Sequence, residues 1–164
     1  MILLVHLISG AVIGQKILNT ILAIILAFLS HYFLDSLPHV EYNIENITKK
    51  QWSKILPNIL NITLDFCIGI LLISMFSDNR LIVYVCGLSA AAPDILTVLY
   101  YLAPNRILKI HYGFHQKIHF LKQIKISKFW RIVSQTIVVI ISITLLVNIT
   151  QNLVFLKQSF SLFF

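Results

Sequence analysis

Long apolar runs separated by short polar connections fill most of the chain. Four runs, over residues 19–37, 55–76, 81–103 and 129–149, approach or exceed the roughly 20 residues that a helix needs to cross a hydrocarbon layer. The pattern predicts helices over residues 2–14, 18–37, 55–77, 80–103 and 127–151. We therefore predict an all-α fold, a polytopic membrane helix bundle of about four to five transmembrane helices, in a single domain over residues 1–164.

The segment 105–126 has a different pattern, NRILKIHYGFHQKIHFLKQIKI, in which apolar residues alternate with lysines and histidines at near-helical spacing. It is too polar to cross a bilayer. Such a pattern is typical of a helix that lies in the membrane interface. We predict one interfacial amphipathic helix there.

Composition and charge agree with a membrane protein. Only 12% of the residues are charged and 58% are hydrophobic, whereas about a quarter of a soluble domain is charged. Most basic side chains fall in the connections 38–54 and 104–128, on one side of the predicted bundle, and the positive-inside rule places that side in the cytoplasm. Attraction to anionic lipid then explains the net charge of +7 without nucleic acid. We expect an integral protein of a bacterial or archaeal inner membrane.

Three aspartates lie inside the apolar runs, at positions 35, 65 and 94. A carboxylate in such a place is costly, and it therefore indicates a functional site. All six histidines lie in the same runs or beside them. On the predicted topology, these side chains fall in the cytoplasmic half of the bilayer. Glu41, by contrast, is interpreted as an ordinary loop charge.

The local spacing favours metal binding. His31 and Asp35 are four residues apart and share one helical face, and Pro38 ends the helix so that His39 can turn back. The three histidines of segment 105–126 repeat the four-residue step, and Asp94 follows a proline in a run of small residues. The predicted metal ligands are His6, His31, Asp35, Asp94, His111 and His115, with His39 and His119 as additional candidates.

Histidine and carboxylate without thiolate suit zinc in a hydrolytic site, with manganese or iron as alternatives. Such a metal lowers the pKa of a bound water to about 7. A spare carboxylate, Asp65 or Asp94, is the predicted catalytic base. Asp65 has an alternative interpretation as a structural hydrogen-bond acceptor for polar neighbours such as Asn58, Asn61 or Thr63.

Four short motifs, HLISG, SHYFLDSLPH, AAPDIL and HYGFHQKIH, together resemble those of the YdjM-like inner-membrane metal-dependent hydrolases. The resemblance matches His6 to an early histidine, Asp94 to a Pro-Asp motif, His111 to a His-rich motif, and His31 with Asp35 to a helical motif. The motif order is rearranged here, and the resemblance does not cover the chain after Lys128. The spacing of His31, Asp35 and His39 is also similar to that in zinc-dependent phospholipase C, which implies a phosphoester substrate.

Together these observations predict an integral-membrane metal-dependent hydrolase. Zinc-activated water would attack a lipid or lipid-linked phosphoester at the cytoplasmic membrane interface, and an anionic substrate and the bilayer itself would be its partners. Two alternatives remain open at this point. One is a divalent-metal or proton-coupled transporter, although the halves of the helices away from the histidines are almost wholly apolar. The other is a structural membrane subunit without catalytic activity.

Overall fold

The computed structural model describes residues 1–42, 45–49, 51–119 and 126–147, and over these residues every regular element is a helix. The elements are α1 (Leu3–Lys16), α2 (Thr20–Asp35), a short α3 (Glu45–Thr48), a 3-10 turn (Trp52–Lys54), α4 (Leu56–Phe76), α5 (Leu81–Leu102), α6 (Arg106–Ile118) and α7 (Lys128–Leu146). The predicted all-α fold is confirmed for this part of the chain. Residues 120–125 of the predicted interfacial segment and 148–151 of the last predicted helix lie outside the described residues.

Among the described helices, α4, α5 and α7 are long and apolar enough to cross a membrane. The number is lower than the predicted four to five because α1 has 14 residues and α2 has 16. At 1.5 Å per residue these helices extend only about 21 and 24 Å. Only 11% of the apolar window of α4 and 17% of that of α7 are buried inside the chain. So much exposed apolar surface requires an apolar environment, such as a bilayer.

Helix α1 lies at the centre of the bundle, and α2, α4, α5 and α7 pack around it. Two of its glycines face α5: a Cβ atom on Gly10 would lie 2.5 Å from the Cys86 carbonyl oxygen, and one on Gly14 would lie 2.8 Å from that of Ile82. No side chain fits at these distances, so the glycines allow close approach of the two backbones, as small residues do between membrane helices. This packing accompanies contacts of His6 of α1 with His31 and Asp35 at the end of α2.

Helix α6 packs across the C-terminal part of α5 and touches α2. Its His115 side chain points into the bundle and is buried, whereas Ile107, Ile110 and Phe114 are exposed on its outer surface. Helix α6 is therefore amphipathic with its histidine face toward the bundle and its apolar face exposed. It covers the end of the bundle at which α2 ends.

Candidate metal centre

Three side chains from α2 and α6 bring their ligand atoms together beneath α6. The Nε2 atoms of His31 and His115 each lie 3.0 Å from Asp35 Oδ2, and the two nitrogens are 3.1 Å apart. All three side chains are buried. His31 and Asp35 occupy the last turn and a half of α2, where a four-residue spacing places them on the same face.

A hydrogen bond on the far side of the ring fixes the tautomer of His31. Its Nδ1 lies 2.8 Å from the Ala90 carbonyl oxygen, which can only accept, so Nδ1 carries the hydrogen and donates it. In the neutral imidazole, Nε2 is then an acceptor with its lone pair directed at Asp35. This arrangement, a backbone carbonyl behind the ring, is the usual one for metal-binding histidines.

Thr97 fixes the tautomer of His115 in the same way. The Thr97 hydroxyl donates to the Pro93 carbonyl oxygen at 3.1 Å, so its oxygen accepts from His115 Nδ1 at 2.9 Å. The His115 Nε2 atom is therefore also an acceptor. Burial lowers the pKa of His115, although its contact with Asp35 acts in the opposite direction, so the ring is neutral near pH 7.

With both imidazoles in the neutral form, the three atoms make a triangle of acceptors that contribute no hydrogen of their own. Lone pairs and a carboxylate at 3.0–3.1 Å repel each other unless a proton or a metal cation lies between them. An ion with bonds of roughly 2.0–2.2 Å at tetrahedral angles holds its ligand atoms about 3.3 Å apart. The observed spacing is close to that value, and the donor set fits a divalent metal that accepts imidazole and carboxylate.

Asp94 completes what we call the first ligand group: His31, Asp35, Asp94 and His115, whose ligand atoms all lie within 4.8 Å of one another. Its Oδ1 atom is 3.7 Å from His31 Nε2 and 3.8 Å from His115 Nε2. The Asp94 side chain is 32% exposed, whereas Asp35 is fully buried. Asp94 is therefore the carboxylate of this group that solvent or a substrate can reach.

A second ligand group shares Asp35 and adds His39 and His119. His119 Nε2 lies 3.3 Å from Asp35 Oδ2 and 3.3 Å from His115 Nε2. Burial by itself would lower the pKa of His119, but its contacts with the carboxylates of Asp35 and Glu41 outweigh burial and raise the pKa to about 9. A metal that binds here must therefore displace a proton.

His6 lies against these groups without being a member of either. Its ring stacks on that of His31 at a centroid distance of 4.0 Å, and its Nε2 is 3.2 Å from Asp35 Oδ1. The same carboxylate oxygen lies 2.5 Å from the Met1 amino group. His6 is fully buried, and neither ring nitrogen has a hydrogen-bond partner among the residues that the structure describes.

His111, a predicted ligand, belongs to neither group. Its Nε2 donates to the Pro93 carbonyl oxygen at 3.0 Å, and its Nδ1 lies 3.4 Å from the Tyr32 hydroxyl. Both ring nitrogens thus have protein partners. The structure places His111 as a support that attaches α6 to α5 and α2, next to the ligand groups.

Asp65 also lies outside both groups. Its Oδ2 accepts a hydrogen bond from the Leu4 backbone N–H at 2.8 Å and another from the Tyr42 hydroxyl, which in turn accepts from the Leu3 N–H at 3.0 Å. Burial and the bond to Asp65 raise the pKa of Tyr42, so the hydroxyl stays protonated and donates. Asp65 is therefore satisfied at the N-terminus of α1, where the helix dipole also favours a negative charge. Asp65 is thus a hydrogen-bond acceptor, as the alternative interpretation of the sequence held, but its donors here are the Leu4 N–H and the Tyr42 hydroxyl.

Three residues around the site, Thr97, Glu41 and Tyr42, were not predicted from the sequence. Thr97 follows Asp94 by three positions on α5, so it shares the face of Asp94, and this spacing was an available signal. Glu41 is not an isolated loop charge, because its Oε1 lies 3.4 Å from His39 Nε2 and 3.3 Å from His119 Nδ1. Neither Glu41 nor Tyr42 carried a signal, because both lie in an irregular connection that periodicity does not describe.

A cavity of about 800 Å³ opens beside the two ligand groups. Asp94, His115, His119 and Glu41 are among the residues that line it. Its walls are mainly apolar and come from the facing sides of α4 and α5, with Ile59, Ile62, Ile95 and Val98 among them. The space exists because α4 packs against α1 and α7 and makes few contacts with α5.

Comparison with known proteins gives no further guide: no family model matches the chain, and neither the curated proteins nor the solved structures that were compared include a match.

Proposed function

We propose that this protein is an integral-membrane metal-dependent hydrolase that acts on a lipid or lipid-linked phosphoester. The observation that carries the proposal is the triangle formed by His31, Asp35 and His115, in which three acceptors converge within 3.0–3.1 Å and a partly exposed carboxylate lies beside them. A metal ion accounts for that geometry.

The cavity supports an amphiphilic substrate. Its volume of about 800 Å³ lies within the range of pockets that hold drug-sized molecules. Residues of both ligand groups line it, and its apolar walls come mainly from two helices that are apolar and long enough to cross a membrane. A phosphoester headgroup would lie at Asp94 and His115, and its apolar chain would lie between α4 and α5.

In this proposal the metal is zinc, with manganese or iron as alternatives, and it supplies a water of lowered pKa and a Lewis acid for the phosphoryl oxygen. The protein supplies the remaining functions. His31 and His115 are held in the ligating tautomer by Ala90 and Thr97. Asp94, which faces the cavity, is the proposed general base. Asp65 is assigned to fold stability because its acceptor atom is already hydrogen-bonded.

The membrane arrangement follows from the same features. We propose that α4, α5 and α7 span the bilayer, and that α1 and α2 lie within it as shorter helices partly enclosed by the others. The exposed apolar residues of α6 would insert into the interface on the basic, cytoplasmic side of a bacterial or archaeal inner membrane. The motif resemblance to YdjM-like hydrolases is part of this proposal and agrees with the metal-dependent activity.

The test begins with metal content. The full chain is purified in detergent, its zinc and manganese are measured by elemental mass spectrometry, and hydrolysis of short-chain phosphatidic acid is compared with that of p-nitrophenyl phosphate. The comparison variant carries His31→Ala and Asp35→Ala, and the matched control carries His111→Ala. Circular dichroism and size-exclusion chromatography establish that each variant is folded.

Stoichiometric metal that is lost only in the double variant, together with hydrolysis of the lipid substrate, is the expected result. A wild-type protein that binds neither zinc nor manganese after incubation would contradict the hydrolase proposal. Uptake of metal into proteoliposomes, without hydrolysis of either substrate, would favour the transporter instead.

A further inference from the structure

The second ligand group is itself built like a metal site. Asp35, His39 and His119 offer ligand atoms within 4.8 Å of one another, and the three side chains are 1%, 6% and 9% exposed. They come from the end of α2, from the connection that follows it, and from the residue that caps α6. Two histidines that are nine-tenths buried beside a shared carboxylate are uncommon without a partner for their nitrogens.

The ring nitrogens of His39 show that this group can accept a further ligand. Its Nδ1 lies 2.7 Å from the Leu37 carbonyl oxygen, which only accepts, so Nδ1 carries the hydrogen and Nε2 is the acceptor in the neutral ring. That Nε2 atom is buried and has no hydrogen-bond partner among the described residues. The backbone around it is held in place, because Arg131 of α7 donates to the His39 carbonyl oxygen at 3.4 Å. A fixed, buried acceptor directed at other ligands is the arrangement that a cation satisfies.

Glu41 adds a negative charge on the open side of this group. Its Oε1 lies 3.4 Å from His39 Nε2 and 3.3 Å from His119 Nδ1, and its side chain is 30% exposed. Both Glu41 and His119 line the cavity. A cation held here would therefore face the same space as the first ligand group.

The two groups are joined at Asp35, the residue that belongs to both. His119 connects them further, since its Nε2 is 3.3 Å from both Asp35 Oδ2 and His115 Nε2. Imidazoles of both groups approach the same atom, Asp35 Oδ2, so this oxygen would be the one that bridges two ions. Two-metal centres place their ions about 3.5–4 Å apart and stabilise both the attacking and the leaving oxygen of a phosphoryl group.

We propose that the protein binds two divalent cations, the first at the first ligand group and the second at His39 and His119, with the Asp35 carboxylate as the bridge. This inference rests on the proposed function, because the first ion is that of the hydrolase. It extends the function by assigning the second ion to the end of the cavity beside Glu41, where it would bind a phosphoester oxygen.

The test uses the purified full chain loaded with manganese alone. Metal per chain is measured by elemental mass spectrometry after removal of free metal, and electron paramagnetic resonance reports whether two bound manganese ions are magnetically coupled. The variants are His39→Ala and the milder His39→Gln, with His111→Ala as the matched control on a neighbouring histidine that already has two protein partners.

Two manganese ions per wild-type chain with a coupled spectrum are expected, and both His39 variants should retain one ion with an uncoupled spectrum while the control retains two. The wild-type result decides the question even if a variant fails to fold. One ion per wild-type chain with an uncoupled spectrum would overturn the second site and leave the hydrolase proposal intact. Absence of bound metal from the wild type would overturn both.

Discussion

Two aspartates in apolar surroundings, Asp35 and Asp65, lie in regions of opposite character. Asp65 accepts hydrogens from the Leu4 N–H and the Tyr42 hydroxyl, so its region contains donors that match its acceptors. Around Asp35, the Met1 amino group contacts Oδ1, whereas the neutral imidazoles of His31 and His115 direct acceptor atoms at Oδ2 from 3.0 Å. A buried carboxylate whose neighbours all donate stabilises the fold by itself. The Asp35 carboxylate has the Met1 amino group as a donor but also faces imidazole nitrogens, and for these we propose a metal ion. The hydrogens that neighbouring groups supply, rather than burial, are our basis for distinguishing the structural Asp65 from Asp35, the proposed metal ligand.

The same substitution, Asp→Asn, made separately at Asp35 and at Asp65, tests the difference between the two regions and has the largest expected effect. Asp35→Asn removes the charge that holds the metal, while the new amide supplies hydrogens to the neighbouring nitrogens, so we expect a folded protein whose metal affinity falls by more than about 100-fold. Asp65→Asn should leave metal binding unchanged and lower the free energy of unfolding by about 1–3 kcal/mol. Isothermal titration with zinc and chemical denaturation measure the two effects. Equal metal loss in both variants would remove the distinction.

A second comparison separates two histidines of the same helix. His115→Ala removes an atom of the acceptor triangle, and metal affinity should fall by more than about 100-fold, beyond the effect of an outer partner. His111→Ala removes a hydrogen bond to the Pro93 carbonyl and should retain the metal. Elemental analysis after dialysis against a weak chelator distinguishes the two. If His111→Ala loses the metal as completely as His115→Ala, the ligand assignment is wrong.

A substitution at Thr97 tests whether the tautomer of His115 affects metal affinity. Thr97→Val keeps the shape of the side chain but removes the oxygen that accepts from His115 Nδ1, so metal affinity should fall about 10- to 100-fold. The matched control is Thr136→Val on α7, which removes an exposed hydroxyl that bonds to the Ile132 carbonyl. Zinc titration of both variants is the measurement, and an unchanged affinity in Thr97→Val would contradict the assigned tautomer.

The smallest effect is expected in the structural region. Tyr42→Phe removes the donor to Asp65 and the acceptor of the Leu3 N–H, so the free energy of unfolding should decrease by about 1–3 kcal/mol, with metal content unchanged. Denaturant unfolding in detergent measures the loss. A drop in metal content of the folded variant would show that Asp65 and Tyr42 belong to the site after all.

Much of the fold could be predicted because the ends of an apolar run coincide closely with the ends of the helix that it forms. The predicted helices 55–77 and 80–103 differ from α4 (Leu56–Phe76) and α5 (Leu81–Leu102) by a single residue at each end. The number of membrane-spanning helices could not be obtained in this way. Ten of the residues of α1 are buried by other helices, so its apolar character reflects the bundle interior rather than the bilayer.

The candidate site was predictable in part for a similar reason. The four-residue spacing of His31 and Asp35 fixes a common face, and the structure brings the two side chains together. Depth along a helix, which placed Asp65 and Asp94 at the same level, carries no information on the direction in which each points. That direction depends on how α1 packs against α4 and α5. The contribution of Glu41 depends on the path of the connection after α2, which no periodic pattern specifies.

Zinc-edge X-ray absorption of the zinc-loaded, detergent-purified full chain tests most directly whether His31, Asp35 and His115 bind the metal. We predict a first shell of nitrogen and oxygen atoms at about 2.0–2.1 Å from the zinc, with outer-shell scattering from at least two imidazoles. A shell of oxygen atoms alone, or sulfur at about 2.3 Å, would contradict the assignment of Asp35, His31 and His115 as the ligands.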